Sequence, residues 1–219
     1  MDFRHLIAAA LCACAAAASA ATIVVDVRDP QGAPLADAVV YAAPEGREVG
    51  AASKSAVMDQ KNKTFIPRVL PVQVGTSVKF PNSDDIQHQV YSFSPAKTFQ
   101  LPLYKGTPAN PIVFNAAGVV TLGCNIHDTM NGYIVVLDTP YFEKTEASGR
   151  VEVRLQPGKY SVRVWHPDMK QEPPPQMVTV GEGERPEIAF SVTAAPKALT
   201  TAPLNKLEEK FKKYGNGRP

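Results

Sequence analysis

Apolar and polar residues alternate in short runs along most of this chain. In "GRVEVRL" Val151, Val153 and Leu155 fall on every second position, and in "KYSVRVW" Tyr160, Val162 and Val164 do the same, the period of a strand with one buried face. Runs rich in Val, Ile, Phe and Tyr predict further strands in "IVVDVR", "DAVVYAA", "QHQVYSF", "ANPIVFN", "GVVTLGC", "GYIVVLD", "MVTV" and "EIAFSV". Turn signals separate them at "DPQG", Asn62, Pro67, Gly75, Asn82 and "QPG". Short strands at this spacing between about residues 51 and 138 need two facing sheets to bury their side chains, so a β-sandwich is expected there. A second sheet is expected after it, broken at Pro173 to Pro175.

The two ends read differently. An apolar run from Leu6 to Ala17 follows Arg4 and His5 and leads into Ala18-Ser19-Ala20, the pattern of a secretory signal peptide cleaved before Ala21. A second export route takes Cys14 as an acylated lipoprotein cysteine. Both predict an exported, periplasmic protein. In the tail, Leu204, Leu207 and Phe211 fall on one face of a short helix carrying Lys206, Lys210, Lys212 and Lys213. That helix is read as solvated, or as docking to a partner or membrane surface; membrane association is expected only through acylation or through this tail.

Composition narrows the function. The 219 residues suit one large or two small domains. A nearly balanced net charge of +2 does not point to a nucleic-acid-binding surface. Twenty prolines and fourteen glycines fit an all-β protein with many turns. Of the 3 cysteines, Cys12 and Cys14 lie in the leader, which leaves Cys124 alone in the exported chain. A lone thiol in an oxidising compartment has no partner in its own chain and is open to oxidation, so it usually has a task, and metal ligation is one.

Cys124 stands in "LGCNIHDTMNG", with His127 three residues on and Met130 three further. Only His88, His127 and His166 remain after the leader, too few for a multicopper oxidase, and a three-histidine zinc hydrolase would need every one of them, including the isolated His166. Two imidazoles, one thiolate and one weak thioether can still be assembled, and that is the donor set of a trigonal copper site with a long axial methionine. Thiolate is soft and gives charge to the metal, imidazole suits both copper oxidation states, and the thioether binds weakly. Zinc would not select the thioether, and a hard cation would require carboxylates.

The stretch "GVVTLGCNIHDTMNGYIVV" resembles the copper loop of cupredoxins, with the Cys-x-x-His-x-x-Met spacing of amicyanin, two residues shorter between His and Met than in plastocyanin. Upstream, "VQVGTSVKFPNSDDIQHQV" resembles the cupredoxin strand pair that delivers the first histidine, here His88. The resemblance covers roughly residues 56 to 138. It implies a Greek-key sandwich holding one type 1 copper ion on His88, Cys124, His127 and Met130, with His127 as the exposed electron gateway. The implied protein is not an enzyme but a one-electron carrier between redox partner proteins. Two positions depart from the family: Leu122 and Gly123 stand where aromatic residues often precede the cysteine, and Gln89 stands where Asn is common. His166 is expected to be structural or superficial, and Asp84, Asp85 and Asp128 to be a solvated or partner-recognising acidic patch.

The segments "VVDVRDPQGAPLADAVVYA" and "TEASGRVEVRLQPGKYSVRVW" resemble two halves of a carboxypeptidase-regulatory-like, transthyretin-like sandwich. This gives a leader at 1–20, first half at 21–50, cupredoxin at 51–138, second half at 139–195, and a linker with basic tail at 196–219; a simpler alternative has 21–45 extending the cupredoxin. The layout also resembles proteins known as methylamine utilisation proteins, a label that does not fix a pathway. Two rival roles remain at this stage: a copper carrier or scavenger without redox cycling, and an envelope-binding module in which copper is structural.

Overall fold

Extended backbone with an apolar face must pair its peptide groups and bury that face, and β-branched and aromatic residues fit the resulting pleated surface best. The computed structural model describes residues 20–51, 53–108 and 110–194, and none of these is helical. The residues read as the leader, save Ala20, and those read as the basic tail lie outside the described residues.

The strands before the copper-loop motif are β1 (Ala21–Arg28), β2 (Val39–Pro44), β3 (Ser55–Val57), β4 (Asp59–Lys61), β5 (Thr64–Ile66), β6 (Val69–Gln73), β7 (Thr76–Lys79), β8 (Tyr91–Ser94), β9 (Lys97–Gln100), β10 (Ile112–Phe114) and β11 (Gly118–Gly123). After it come β12 (Asn131–Leu137), β13 (Phe142–Lys144), β14 (Arg150–Leu155), β15 (Gly158–Trp165), β16 (Gln176–Val180) and β17 (Glu187–Ser191).

Two sheets arise from the middle of the chain, in orders β10-β7-β3 and β6-β12-β11-β8-β9, with β4 and β5 forming a separate hairpin. Between them lies a core that includes Phe65, Val78, Phe80, Val90, Phe114, Val120, Leu122 and Ile134. Two more sheets, β14-β1-β17 and β13-β2-β15-β16, arise from the ends of the described chain. Ile23, Val25, Val40, Val153, Tyr160, Val162 and Phe190 fill the space between these.

The single sheet expected after the first sandwich is therefore corrected to two, each completed by a strand from the N-terminal side. Strand β1 pairs antiparallel with β14 and parallel with β17, while β2 lies antiparallel between β13 and β15. Sequence pattern reports which face of a strand is apolar and not which strand it pairs with. The strand expected at "QHQVYSF" is also shorter than read, since only Tyr91–Ser94 joins the sheet and His88 lies ahead of it.

The sandwiches meet through a third apolar cluster of Val39, Val69, Val135 and Leu137, flanked by Tyr41, Tyr133, Phe142 and Trp165. Alternation places Val40 and Ala42 of β2 in one sandwich core and Val39 in the junction. Strand β12 does the same, with Ile134 and Val136 facing its own core and Val135 and Leu137 facing outward into the junction. A strand buried on both faces reads as a continuous apolar run, which is the appearance of "YIVVL".

Candidate metal centre

The loop between β11 and β12 is held at both ends by a continuous antiparallel ladder running from Gly118 opposite Val136 to Gly123 opposite Asn131. Cys124 and Met130 leave the ladder directly at its open end, and the peptide N–H of Met130 donates to the His127 carbonyl at 2.9 Å, closing the loop on itself. The spacing seen in the sequence thus becomes a short turn whose first and last side chains point inward. Cys124 is 3 % exposed and Met130 2 %, and both belong to the core of the middle sandwich.

His88 arrives from the other side. It forms a two-way bridge with Tyr104, His88 N–H donating to the Tyr104 carbonyl at 3.1 Å and Tyr104 N–H to the His88 carbonyl at 3.0 Å. The loop leading to it is organised by Asn82, whose side-chain amide donates to the carbonyls of Ile86 (2.9 Å) and Tyr104 (2.8 Å). Beneath it the buried Gln60 amide donates to the Tyr104 hydroxyl, which itself donates to the Phe80 carbonyl at 2.7 Å. Burial, against the opposing Gln60 hydrogen bond, lifts the Tyr104 hydroxyl to about 12, so it stays a donor.

His88, Cys124 and His127 each bring one donor atom within 4.8 Å of the others. Nδ1 of His88 lies 3.9 Å from Cys124 Sγ, and the two imidazoles meet edge to face with centroids 5.1 Å apart. Nδ1 of His127 is buried and has no hydrogen-bond partner. An orphaned buried imidazole nitrogen beside a buried thiol and a second imidazole is costly unless something fills the space between them. Burial, aided by the neighbouring His88 and Lys63, pulls the His127 pKa below its ordinary value, so the ring stays neutral with a lone pair available. The donor chemistry, two imidazoles with a thiol and a buried thioether in the same core, fits copper better than zinc or a hard cation.

The other candidates lie elsewhere or act differently. His166 is buried just past the end of β15, its Nε2–H donating to the Ala36 carbonyl at 3.0 Å while Nδ1 accepts the Asp168 N–H at 3.2 Å. Gln89 is buried beside His88. Asp84, read in sequence as part of an acidic patch, instead turns inward, one oxygen 2.7 Å from Nε2 of His88. Burial raises its pKa, but the hydrogen bonds from Lys63 N–H, the His88 ring and Asn62 N–H outweigh that and hold it below the usual carboxylate range. The signal for Asn82 and Asp84 lies in the N-x-D end of the strand-pair motif, residues that by type alone suit a turn and an exposed carboxylate.

The missing aromatic residue before the cysteine also has a structural counterpart. Gly123 pairs across the ladder with Tyr91 of β8, and a Cβ at Gly123 would fall 2.5 Å from Tyr91 Cζ. The ring covering this backbone comes from the neighbouring strand.

No family model matches the chain, and no curated protein matches it. Solved structures do. The chain is similar to a reduced amicyanin variant at 23% identity, over 44% of this chain and 99% of that one, with a TM-score of 0.36. It is similar to a purple cupredoxin from Nitrosopumilus maritimus at 23% identity, over 38% and 99% of the two chains, with a TM-score of 0.33. A pseudoazurin from Sinorhizobium meliloti is 23% identical over 38% of this chain and 74% of its own, with a TM-score of 0.31. Scores this low leave the function to be read from the side chains themselves.

Proposed function

We propose that this chain is an exported copper protein that carries single electrons between redox partner proteins and catalyses nothing by itself. The observation that carries this reading is the buried cluster of His88, Cys124 and His127, with donor atoms within 4.8 Å and the Nδ1 of His127 unpartnered. The proposed ligands are His88, Cys124 and His127, with Met130 as a weak fourth, and a copper ion held by them would supply a one-electron couple.

The chain's own residues have three tasks in this reading. The β11–β12 ladder and the His88–Tyr104 bridge hold the donors in one arrangement, so little has to move when the charge at the site changes. The apolar core around Cys124 and Met130 excludes water from the thiol. His127, partly exposed on the loop beside the exposed Ile126, connects the site to the surface.

We place the copper-binding unit at 51–138, inserted in a transthyretin-like sandwich at 21–50 and 139–195; the pairing of β1 and β2 with β13 to β17 supports this. Export with loss of residues 1–20 and a periplasmic location complete the proposal. Voltammetry of the copper-loaded protein tests the carrier role. A reversible one-electron wave is expected. A colourless Cu(I) protein that shows no such wave and surrenders its metal to an acceptor would be a scavenger instead.

A further inference from the structure

Asp84 lies four residues before His88 and accepts three hydrogen bonds on one carboxylate. Oδ1 takes the Asn62 N–H at 2.7 Å, and Oδ2 takes the Lys63 N–H at 2.9 Å and the His88 ring at 2.7 Å. Its own peptide N–H donates to Asn82 Oδ1 at 3.0 Å, which fixes the start of the loop. The His88 side chain is fully buried and that of Asp84 is 13% exposed. An ionised carboxylate has no proton to give, so Nε2 of His88 must be the donor. A neutral ring protonated at Nε2 leaves its Nδ1 lone pair free, and Nδ1 is the nitrogen that faces Cys124 Sγ.

The anchor on the far side is unusual. Asn62 and Lys63 form the turn between β4 and β5, and both hold left-handed backbone, with φ of 54° and 56°, where non-glycine residues are uncommon. Two successive peptide N–H groups in such a turn converge on a single anion. The hairpin is thereby tied to the loop that carries His88.

We propose that Asp84 is a positioning residue for the metal centre, anchored by the Asn62–Lys63 turn and holding His88 in the tautomer that presents Nδ1 to the site. Its consequence for copper rests on the function proposed above, but its geometry is a matter of the chain's own residues. A carboxylate on the outer imidazole nitrogen makes the inner one a stronger donor and favours the more highly charged Cu(II) over Cu(I). A role limited to tying down the turn would have neither effect.

The first readout is made on the metal-free protein, so it stands apart from copper binding. In the nitrogen-15 spectrum His88 is expected to be protonated at Nε2, with a slowly exchanging, deshielded proton; a ring protonated at Nδ1 would overturn the proposal even if every variant failed to fold. The second readout is Asp84→Asn. Copper affinity, measured by chelator competition, should fall about 10- to 100-fold, and the reduction potential should rise, while Asp84→Glu restores part of both. An Asp84→Asn protein with wild-type circular dichroism, affinity and potential would reduce Asp84 to a structural tie. At the turn, Asn62→Gly keeps the left-handed backbone and should leave affinity unchanged, whereas Asn62→Val disfavours it and should lower affinity. Equal affinities in those two would remove the turn from the proposal.

Discussion

Met130 closes the loop that begins at Cys124, and its buried thioether is the softest and weakest of the proposed donors. Met130→Gln puts a harder oxygen there, which favours Cu(II), so the potential should fall while copper stays bound through His88, Cys124 and His127. A shift of about 59 mV is a tenfold change in a one-electron equilibrium, so voltammetry resolves even a modest effect. Two glycines nearby should differ in what they tolerate. A Cβ at Gly132 would lie 2.8 Å from Phe65 Cβ, an atom fixed to its backbone in the core, whereas at Gly123 it meets the far end of the Tyr91 side chain, which can swing aside. Gly132→Ala should cost ~1–3 kcal/mol of stability in urea unfolding, as overpacking does, and Gly123→Ala less. The spacing of Cys124, His127 and Met130 was legible in sequence because one loop carries all three. The Asp84–His88 contact was not, because a separation of four residues in an irregular loop fixes no direction for the carboxylate. Its anchor at Asn62 was not, because the hairpin carrying it lies 22 residues away and reaches Asp84 only through tertiary packing.

Among the elements, the half-buried strands were the most legible: Val153 and Leu155 of β14, and Tyr160, Val162 and Val164 of β15, all point into one core as their alternation predicts. Strands β9 and β13 escaped because they are short and lack an apolar run. The parallel pairing of β1 with β17 escaped because it joins segments at opposite ends of the described chain. The end of β15 also carries a pH-sensitive joint. His166 uses both ring nitrogens in its neutral form, one toward Ala36 ahead of β2 and one accepting from Asp168. Burial pulls its pKa below the ordinary 6.5, with Arg68 adding to this, while Asp168, the Ala36 hydrogen bond and Asp37 oppose. In the unfolded chain the ring takes up its proton at higher pH than in the fold, so stability rises with pH across that interval. The contribution is fully present above about 6.5 and is lost as pH falls through the lower, folded value. Urea midpoints measured from pH 8 to pH 5 should fall in the wild type and fall less steeply in His166→Gln.

At the scale of the whole molecule, the middle sandwich meets the outer one through the cluster around Val135 and Leu137, the tilted ring pair of Tyr133 and Trp165, and the Arg68–Asp168 ion pair at 3.1 Å. Packing of this kind, together with the ion pair, fixes how the two sandwiches sit against each other. That the described chain is all-β was legible from composition and turn spacing, whereas the layering of its four sheets depends on pairings no pattern reports. The proposed electron carrier depends above all on Cys124 giving its thiolate to copper beside His88 and His127. The visible absorption spectrum of the copper-loaded protein, recorded beside Cys124→Ser, tests it most directly. An intense visible charge-transfer band at one copper per chain, absent from Cys124→Ser, is expected. A weak spectrum of nitrogen and oxygen ligation, identical in the two proteins, would contradict it.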